Sequence, residues 1–255
     1  MVTFYGSRIP PLRNRVDGTT LGGRVTDFYH DNSKSAHLLR KVSARPRAIV
    51  SAQSSIYGRV GKRAFDLILV CLSAPLVVIL VGFLALLIAR DGGRPFYTQT
   101  RVGKDGRFFK MWKLRSMVPN ADQKLESYLE CNPAARAEWN KTQKLENDPR
   151  VTPFGRFLRK SSMDELPQLW NVVVGDMSLV GPRPMMPAQM GLYPGHEYYD
   201  LRPGISGNWQ VSARNSCSFV ERAAYDTTYS RTLSLKEDCR ILARTVHVVL
   251  RATGH

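Results

Sequence analysis

The stretch "LILVCLSAPLVVILVGFLALLIA", Leu67 to Ala89, runs for 23 residues without a charge. A straight helix of that length reaches about 35 Å, against a bilayer hydrocarbon core of roughly 30 Å. The run starts too far along the chain and continues too long for a cleavable signal peptide, and no small-residue cleavage site follows it. A membrane segment is expected, and its flanks bear on how it sits. Residues 1–65 carry twelve Lys/Arg against three acidic residues. Beyond the run come Arg90, Arg94, Arg101, Lys104, Arg107, Lys110, Lys113 and Arg115. Positive charge beside a membrane segment favours the cytoplasmic side. Both ends want that side, which a re-entrant helix allows and a simple span does not. Pro75 offers a place to turn, because it removes a backbone hydrogen bond and clashes with the carbonyl of Cys71. Ser73 is placed to help satisfy the freed backbone groups in lipid. The arms before and after Pro75 reach about 12 Å and 21 Å, so neither spans alone. An ordinary kinked single span is the other arrangement open to this run.

The chain has 255 residues, enough for one large domain or two small ones. Its formal net charge is +16, from 37 Lys+Arg against 21 Asp+Glu. That excess suits an anionic partner: nucleic acid, a phospholipid surface or a phosphorylated substrate. No zinc spacing, helix-turn-helix pattern or RNA-binding aromatic signature supports nucleic acid. "GRVGKR" (Gly58 to Arg63) is not a P-loop, since no Ser/Thr follows the lysine and the spacing fails. The four cysteines, Cys71, Cys131, Cys217 and Cys239, lie far apart. They suggest neither a disulfide framework nor a zinc site, and a reducing compartment follows.

Residues 1–56 are rich in Arg, Ser and Gly with little apolar period, and read as a basic, disordered tail. Within it, "HLLRKV" (His37 to Val42) is either a short helical turn at a lipid surface or a solvated charge run. "RPFYTQTRVGKDGRFFKMWKLRSM" (Arg94 to Met117) predicts a β-hairpin around Gly103-Lys104-Asp105-Gly106. Polar helices follow, interrupted at Pro133. "NDPRVTPFGRFLRK" reads as a turn-rich basic lead, and "VGPRPMMP" and "YYDLRPGISGNWQVSARN" read as loops. "SLKEDCRILARTVHVVLRA" predicts an amphipathic helix with Ile241, Leu242, Val246 and Val249 on its apolar side.

"SSMDELPQLWN" (Ser161 to Asn171) places two adjacent carboxylates, Asp164 and Glu165, at the expected start of a helix. One reading is capping: Ser162 and Glu165 have capping-box spacing, and with Asp164 as the N-cap Pro167 falls where its missing N–H costs little. The helix dipole would then favour the ionised form. The other reading is chemical. An ionised carboxylate is a plausible nucleophile toward phosphorus, and two carboxylates can hold Mg²⁺ beside a diphosphate. Arginine forks suit phosphate oxygens. Lys113, Arg115, Arg156, Arg159, Lys160, Arg183, Arg202 and Arg214 are the candidate phosphate-binding residues. For any one arginine alone, lipid-headgroup contact or a surface ion pair is the simpler role.

With these stretches in hand, the chain resembles the bacterial sugar transferases, the monotopic polyprenyl-phosphate glycosyl-1-phosphate transferases. The matching stretches are "KRAFD" (Lys62 to Asp66), "RVGKDGRFFKMWKLRSM", "NDPRVTPFGRFLRKSSMDELPQLWNVVVGDMSLVGPRP", "RPGISGNWQVSAR" and "ILARTVHVVLRATG", across roughly residues 60–255. The resemblance implies an α+β, mainly helical, monotopic membrane protein with a re-entrant helix, a β-hairpin and interfacial amphipathic helices. Residues 57–93 would form the membrane helix and 94–255 a cytoplasmic catalytic domain at the bacterial inner membrane. It implies Mg²⁺ as cofactor and Asp164 and Glu165 as catalytic pair and metal ligands. Asp164 would attack the sugar phosphate of a UDP-sugar, UMP would leave, and polyprenyl phosphate would take the phosphosugar. Glu165 would assist metal binding or proton removal. Exopolysaccharide or capsule synthesis is the implied pathway. Partners are then a UDP-sugar, polyprenyl phosphate and membrane phospholipids, with no nucleic acid; a homo-oligomer is left open. One departure is Ser73-Ala74-Pro75, where family members often have Ser-Pro adjacent and about one turn later.

Overall fold

The computed structural model describes residues 55–142, 145–212 and 219–250. The basic tail up to residue 54, with "HLLRKV", and the candidate Arg214 lie outside the described residues.

A single π-turn at Tyr57–Gly61 leads into helix α1, Lys62–Ala89. Among the described residues this is the one helix long and apolar enough to cross a membrane. The sequence suggested a break at Ser73 and Pro75, but α1 runs on through Pro75 as helix. Nor does Ser73 compensate the lost bond. Its hydroxyl donates to the carbonyls of Leu69 (2.9 Å) and Val70 (3.1 Å), while the carbonyl that Pro75 deprives is that of Cys71.

Both ends of α1 are held by the same body. Near its start, Val70 packs with Phe109, Met111, Val172 and Met177. Near its end, Leu84 and Ile88 pack with Leu114 and Leu158. Phe109, Met111 and Leu114 all belong to one strand, β2 (Phe108–Leu114). Between the two contacts the helix turns its apolar side chains outward, with Leu76 and Ile79 each 72 % exposed.

Strand β2 pairs antiparallel with β1 (Phe96–Val102), with Phe96 opposite Leu114 and Val102 opposite Phe108. This is the hairpin expected from the alternation. Its turn, Lys104–Gly106, needs left-handed backbone at Asp105 (φ 56°) and Gly106 (φ 73°). Two polar helices follow, α2 (Ala121–Cys131) and α3 (Pro133–Thr142), broken at Pro133 as expected.

The basic lead into the acid pair is more ordered than a turn. It contains helix α4, Pro153–Lys160, capped by Thr152, whose Oγ1 accepts from the Gly155 amide at 2.8 Å. A Cβ at Gly155 would lie 1.9 Å from the Ser116 carbonyl oxygen, so glycine lets α4 sit directly on the end of the hairpin.

Helix α5 (Gln168–Val174) ends at Gly175 with φ 95°. Arg63 of α1 donates to its final carbonyls, those of Val172 and Val173, and so terminates it. Asn171 of α5 is buried and clamps the hairpin: its Nδ2 donates to the Lys110 carbonyl (2.8 Å) and its Oδ1 accepts from the Trp112 amide (3.0 Å).

A second, parallel pair joins β3 (Ser178–Val180), which ends where the first stretch read as a loop begins, to β4 (Gly204–Ser206), which lies inside the second. Three-residue strands are too short to show a period in sequence. Between them lie a 3₁₀ turn at Pro187–Leu192 and α6 (Glu197–Asp200); α7 (Asn208–Ser212) follows β4. The chain closes with α8 (Phe219–Thr232) and α9 (Leu235–Leu250). The apolar side expected on α9 is divided. Ile241 and Leu242 join the core around Val180, Leu201, Tyr229 and Leu233, whereas Val246 and Val249 face outward. Asp238 of α9 is fully buried and accepts from Tyr57, Tyr229 (2.6 Å) and Lys62 (2.8 Å), tying α9 to the foot of α1.

Candidate active site

The two acids do not cap a helix. They lie in a 3₁₀ turn, Met163–Glu165, one step before α5, and Ser162 ahead of them is left-handed (φ 57°) with no side-chain capping bond. Neither the capping box nor an N-cap role for Asp164 is realised, so the dipole advantage expected from such a cap does not arise there. The turn instead faces β2. Lys113 Nζ lies 2.7 Å from Glu165 Oε1 and 3.6 Å from Asp164 Oδ2.

Asp164 is buried, at 7 % exposure. Burial pushes its carboxyl above the usual aspartate range; Lys113 opposes this, and neighbouring Glu165 adds to it. Glu165 goes the other way. Burial raises it too, but the Lys113 and Arg183 charges outweigh burial and hold it below the usual range. For Lys113, burial disfavours the ammonium, yet the two carboxylates more than offset that and raise it. The trio is therefore a lysine set between two acids that are perturbed in opposite directions. Such separation of paired acids is common where they have different tasks.

The arginines divide into groups. Arg159, on α4, donates through Nε to Ser116 at 2.8 Å, and its charge reaches Asp164. Arg183's charge reaches Glu165, and its guanidinium lies 5.8 Å from the Trp209 ring. Arg115 does not serve the pair. Its guanidinium bonds Asp91 and the carbonyls of Ile88, Arg94 and Met117, fastening the end of α1 to the hairpin. Arg202 donates to the Gly175 carbonyl at 2.9 Å, beyond the far end of α5. Arg156 and Lys160 are exposed on α4.

Sequence reading missed two residues, Arg101 and Arg222. Both are buried, and both sense the charge of Arg183 and of each other. Nε of Arg101, and Nε and Nη2 of Arg222, have no hydrogen-bond acceptor among the described residues. The nearby carboxylate is Asp226, 3.9 Å from Arg222 Nε and accepting from Tyr193 at 3.0 Å. Burial pushes Asp226 up to about 6, against the pull of Arg222 and Tyr193. Glu197 also bears on Asp226 there, and the unsatisfied donors of the two buried guanidiniums make a setting that suits an anion. Only the spacing of Arg101 within the hairpin motif hinted at this, since periodicity does not distinguish a buried arginine from a surface one.

Magnesium keeps several waters and takes one or two carboxylates plus substrate phosphates. Asp164 and Glu165 fit that donor set. Among the described residues no cluster of three or more His, Cys, Asp or Glu could hold a metal ion, so substrate and water would complete the shell.

Residues 57–252 match the family described as bacterial sugar transferase, and the chain belongs to it. It is 49 % identical over 199 residues to the UDP-galactose-lipid carrier transferase of Erwinia amylovora, covering 76 % of this chain and 41 % of that protein. It is 44 % identical over 199 residues to the undecaprenyl-phosphate galactose phosphotransferase of Salmonella typhimurium, with the same coverage, 76 % and 41 %. The exopolysaccharide production protein ExoY of Rhizobium meliloti is 43 % identical over 204 residues, covering 77 % of this chain and 88 % of ExoY. The matched region thus spans less than half of the first two relatives and most of the third.

Proposed function

We propose that this protein is a phosphoglycosyl transferase. It moves a sugar 1-phosphate from a UDP-sugar to undecaprenyl phosphate on the cytoplasmic face of a bacterial inner membrane, opening exopolysaccharide or capsule synthesis. The observation that carries this is the Asp164–Glu165 pair held by Lys113 in a buried turn, inside the region that matches the family. An Asp164 carboxylate oxygen attacks the phosphorus next to the sugar. The bond from that phosphorus to the bridging oxygen breaks, and UMP leaves with the electron pair. A phosphate oxygen of undecaprenyl phosphate then attacks the aspartyl-phosphosugar, and Asp164 departs as a carboxylate.

The residues divide this work. Lys113 opposes the effect of burial on Asp164 and so favours its ionised form. Glu165, held below the usual glutamate range, is a weak base at neutral pH, so charge and metal holding suits it better than proton removal. Asp164 and Glu165 would hold Mg²⁺, which offsets charge between an anionic nucleophile and an anionic diphosphate. Arg183, whose charge also bears on Arg101 and Arg222, supplies positive charge for the diphosphate.

The re-entrant reading of α1 rests on Val70 and Leu84. They lie on opposite sides of Pro75, yet both contact the body built on β2. A helix that crossed the bilayer would carry one of those contacts to the far side. Phe157 on α4 and Trp170 and Val174 on α5 are exposed and apolar, which suits elements lying on a lipid surface.

The test is UMP release from a panel of UDP-sugars with undecaprenyl phosphate. The wild type should release UMP with at least one sugar. Asp164→Asn should express and associate with membranes normally, since Asp164 caps no helix, and release none. An active Asp164→Asn protein would rule out the covalent route.

A further inference from the structure

A cavity of ≈ 330 Å³ lies at the foot of α1, and Asp164, Glu165 and Lys113 are not among its lining residues. Five cationic side chains line it: Arg59, Lys62, Arg63, Lys104 and Arg202. Two carboxylates face them, Asp66 and Asp200. Arg59, Lys62, Arg63 and Asp66 recur at helical spacing and so share one face. Lys104 comes from the hairpin turn and Arg202 from the segment before β4, so three separate parts of the fold converge there.

Much of this positive charge is not neutralised. Arg63 and Arg202 donate to backbone carbonyls, which satisfies their N–H groups but leaves their charge. Arg59 and Lys104 have no ion-pair partner among the described residues. Among the described residues, Lys62 is the lining cation that forms ion pairs, with Asp238 at 2.8 Å and Asp66 at 3.9 Å. The position is as informative as the charge. Asp66 is the last polar residue before the uncharged run that starts at Leu67. If α1 enters lipid there, the cavity opens at the level of the phosphate groups of the cytoplasmic leaflet, where basic side chains collect.

We propose that this cavity binds the phosphate of an anionic phospholipid headgroup, at a site separate from the catalytic pair. The proposal rests on the membrane reading of α1 but not on the transfer reaction. The occupant touches Arg63, which terminates α5, and Arg202, which holds Gly175 just beyond it. Headgroup binding therefore locks α1 onto the helix that follows the acid pair.

The test uses the full chain in nanodiscs of phosphatidylcholine alone or with phosphatidylglycerol, read by thermal denaturation. Phosphatidylglycerol should raise the wild-type Tm by several degrees. Inorganic phosphate in phosphatidylcholine discs should not reproduce the rise, which separates a headgroup from free phosphate. The double substitution Arg59→Gln, Lys104→Gln should keep the wild-type Tm in phosphatidylcholine and lose the increment. Lys110→Gln, exposed on β2 and outside the cavity, should retain it. An increment that survives the double substitution overturns the site, as does one reproduced in full by inorganic phosphate. Should the double variant melt low in phosphatidylcholine, mass analysis of lipid retained by the wild-type protein decides: no enrichment of phosphatidylglycerol over the disc composition also overturns it. No arm needs turnover, so failure here leaves the UMP-release test untouched, and failure of that test leaves this one standing.

Discussion

Lys113 and Glu165, 52 residues apart in the chain, meet with Nζ 2.7 Å from Oε1. The same ammonium lies 3.6 Å from Asp164, so one strand residue acts on both acids.

Removing that ammonium should change the pH dependence of the reaction. Asp164 already sits above the usual aspartate range because of burial, and Lys113 is the main opposing influence. Without it the proton is held to higher pH, and the nucleophile is ionised only at higher pH. Lys113→Met should therefore shift the acid limb of UMP release upward and lower the rate by roughly 10²-fold near neutrality. The loss should be smaller at alkaline than at mildly acidic pH. A uniform loss with an unmoved acid limb would mean that Lys113 acts on substrate and not on Asp164.

How much of this could be read from sequence depended on the range of the interaction. The hairpin was legible because alternation and an Asp-Gly turn are local signals. The acid pair was legible as chemistry only through its surroundings, and its capping reading failed because the turn it occupies is 3₁₀ and precedes α5. Lys113 was one of eight basic candidates; nothing local separated it from Arg115, which bonds the end of α1 instead. Arg101, Arg222 and Asn171 escaped notice because their burial is created by segments far away in the chain. Strands β3 and β4 escaped because their pairing partners are likewise distant.

The proposed Mg²⁺ can be tested from its donor set. Two carboxylates alone hold Mg²⁺ weakly, so the ion should be easily stripped and easily restored. EDTA should abolish UMP release, and added Mg²⁺ should restore it. Full turnover after thorough chelation would remove the metal from the reaction.

Asn171 is expected to matter for assembly of the site and not for its chemistry. Asn171→Leu removes its bonds to the Lys110 carbonyl and the Trp112 amide. Loss of a buried bonded group of this kind costs about 2 kcal/mol. Thermal denaturation should show a clear drop in Tm, with the pH profile of the remaining activity unchanged. An unaltered Tm would show that the hairpin does not depend on this clamp.

Topology can be checked with single cysteines at Ser55 and Lys110, one on each side of α1, in a chain lacking its native cysteines. Cys71, Cys131 and Cys239 are exposed and should be replaceable. A membrane-impermeant thiol reagent should label neither site in intact cells and both after permeabilisation. Labelling of one site from outside would establish a span. On sequence grounds alone, Pro75→Leu should push the N-terminal side partly outward, because it restores a continuous apolar helix. The contacts of Val70 and Leu84 alter that expectation: both reporters should stay inside, since packing holds the two ends.

A segment fastened at both ends to one rigid strand also has its length set by protein. An ordinary spanning helix answers a thicker or thinner bilayer by tilting. With Val70 and Leu84 both packed on the body built around β2, α1 has no free end with which to tilt. On the re-entrant reading, mismatch would be absorbed by the lipid, which would thin or pucker around the helix, and insertion depth would stay constant from one acyl-chain length to the next.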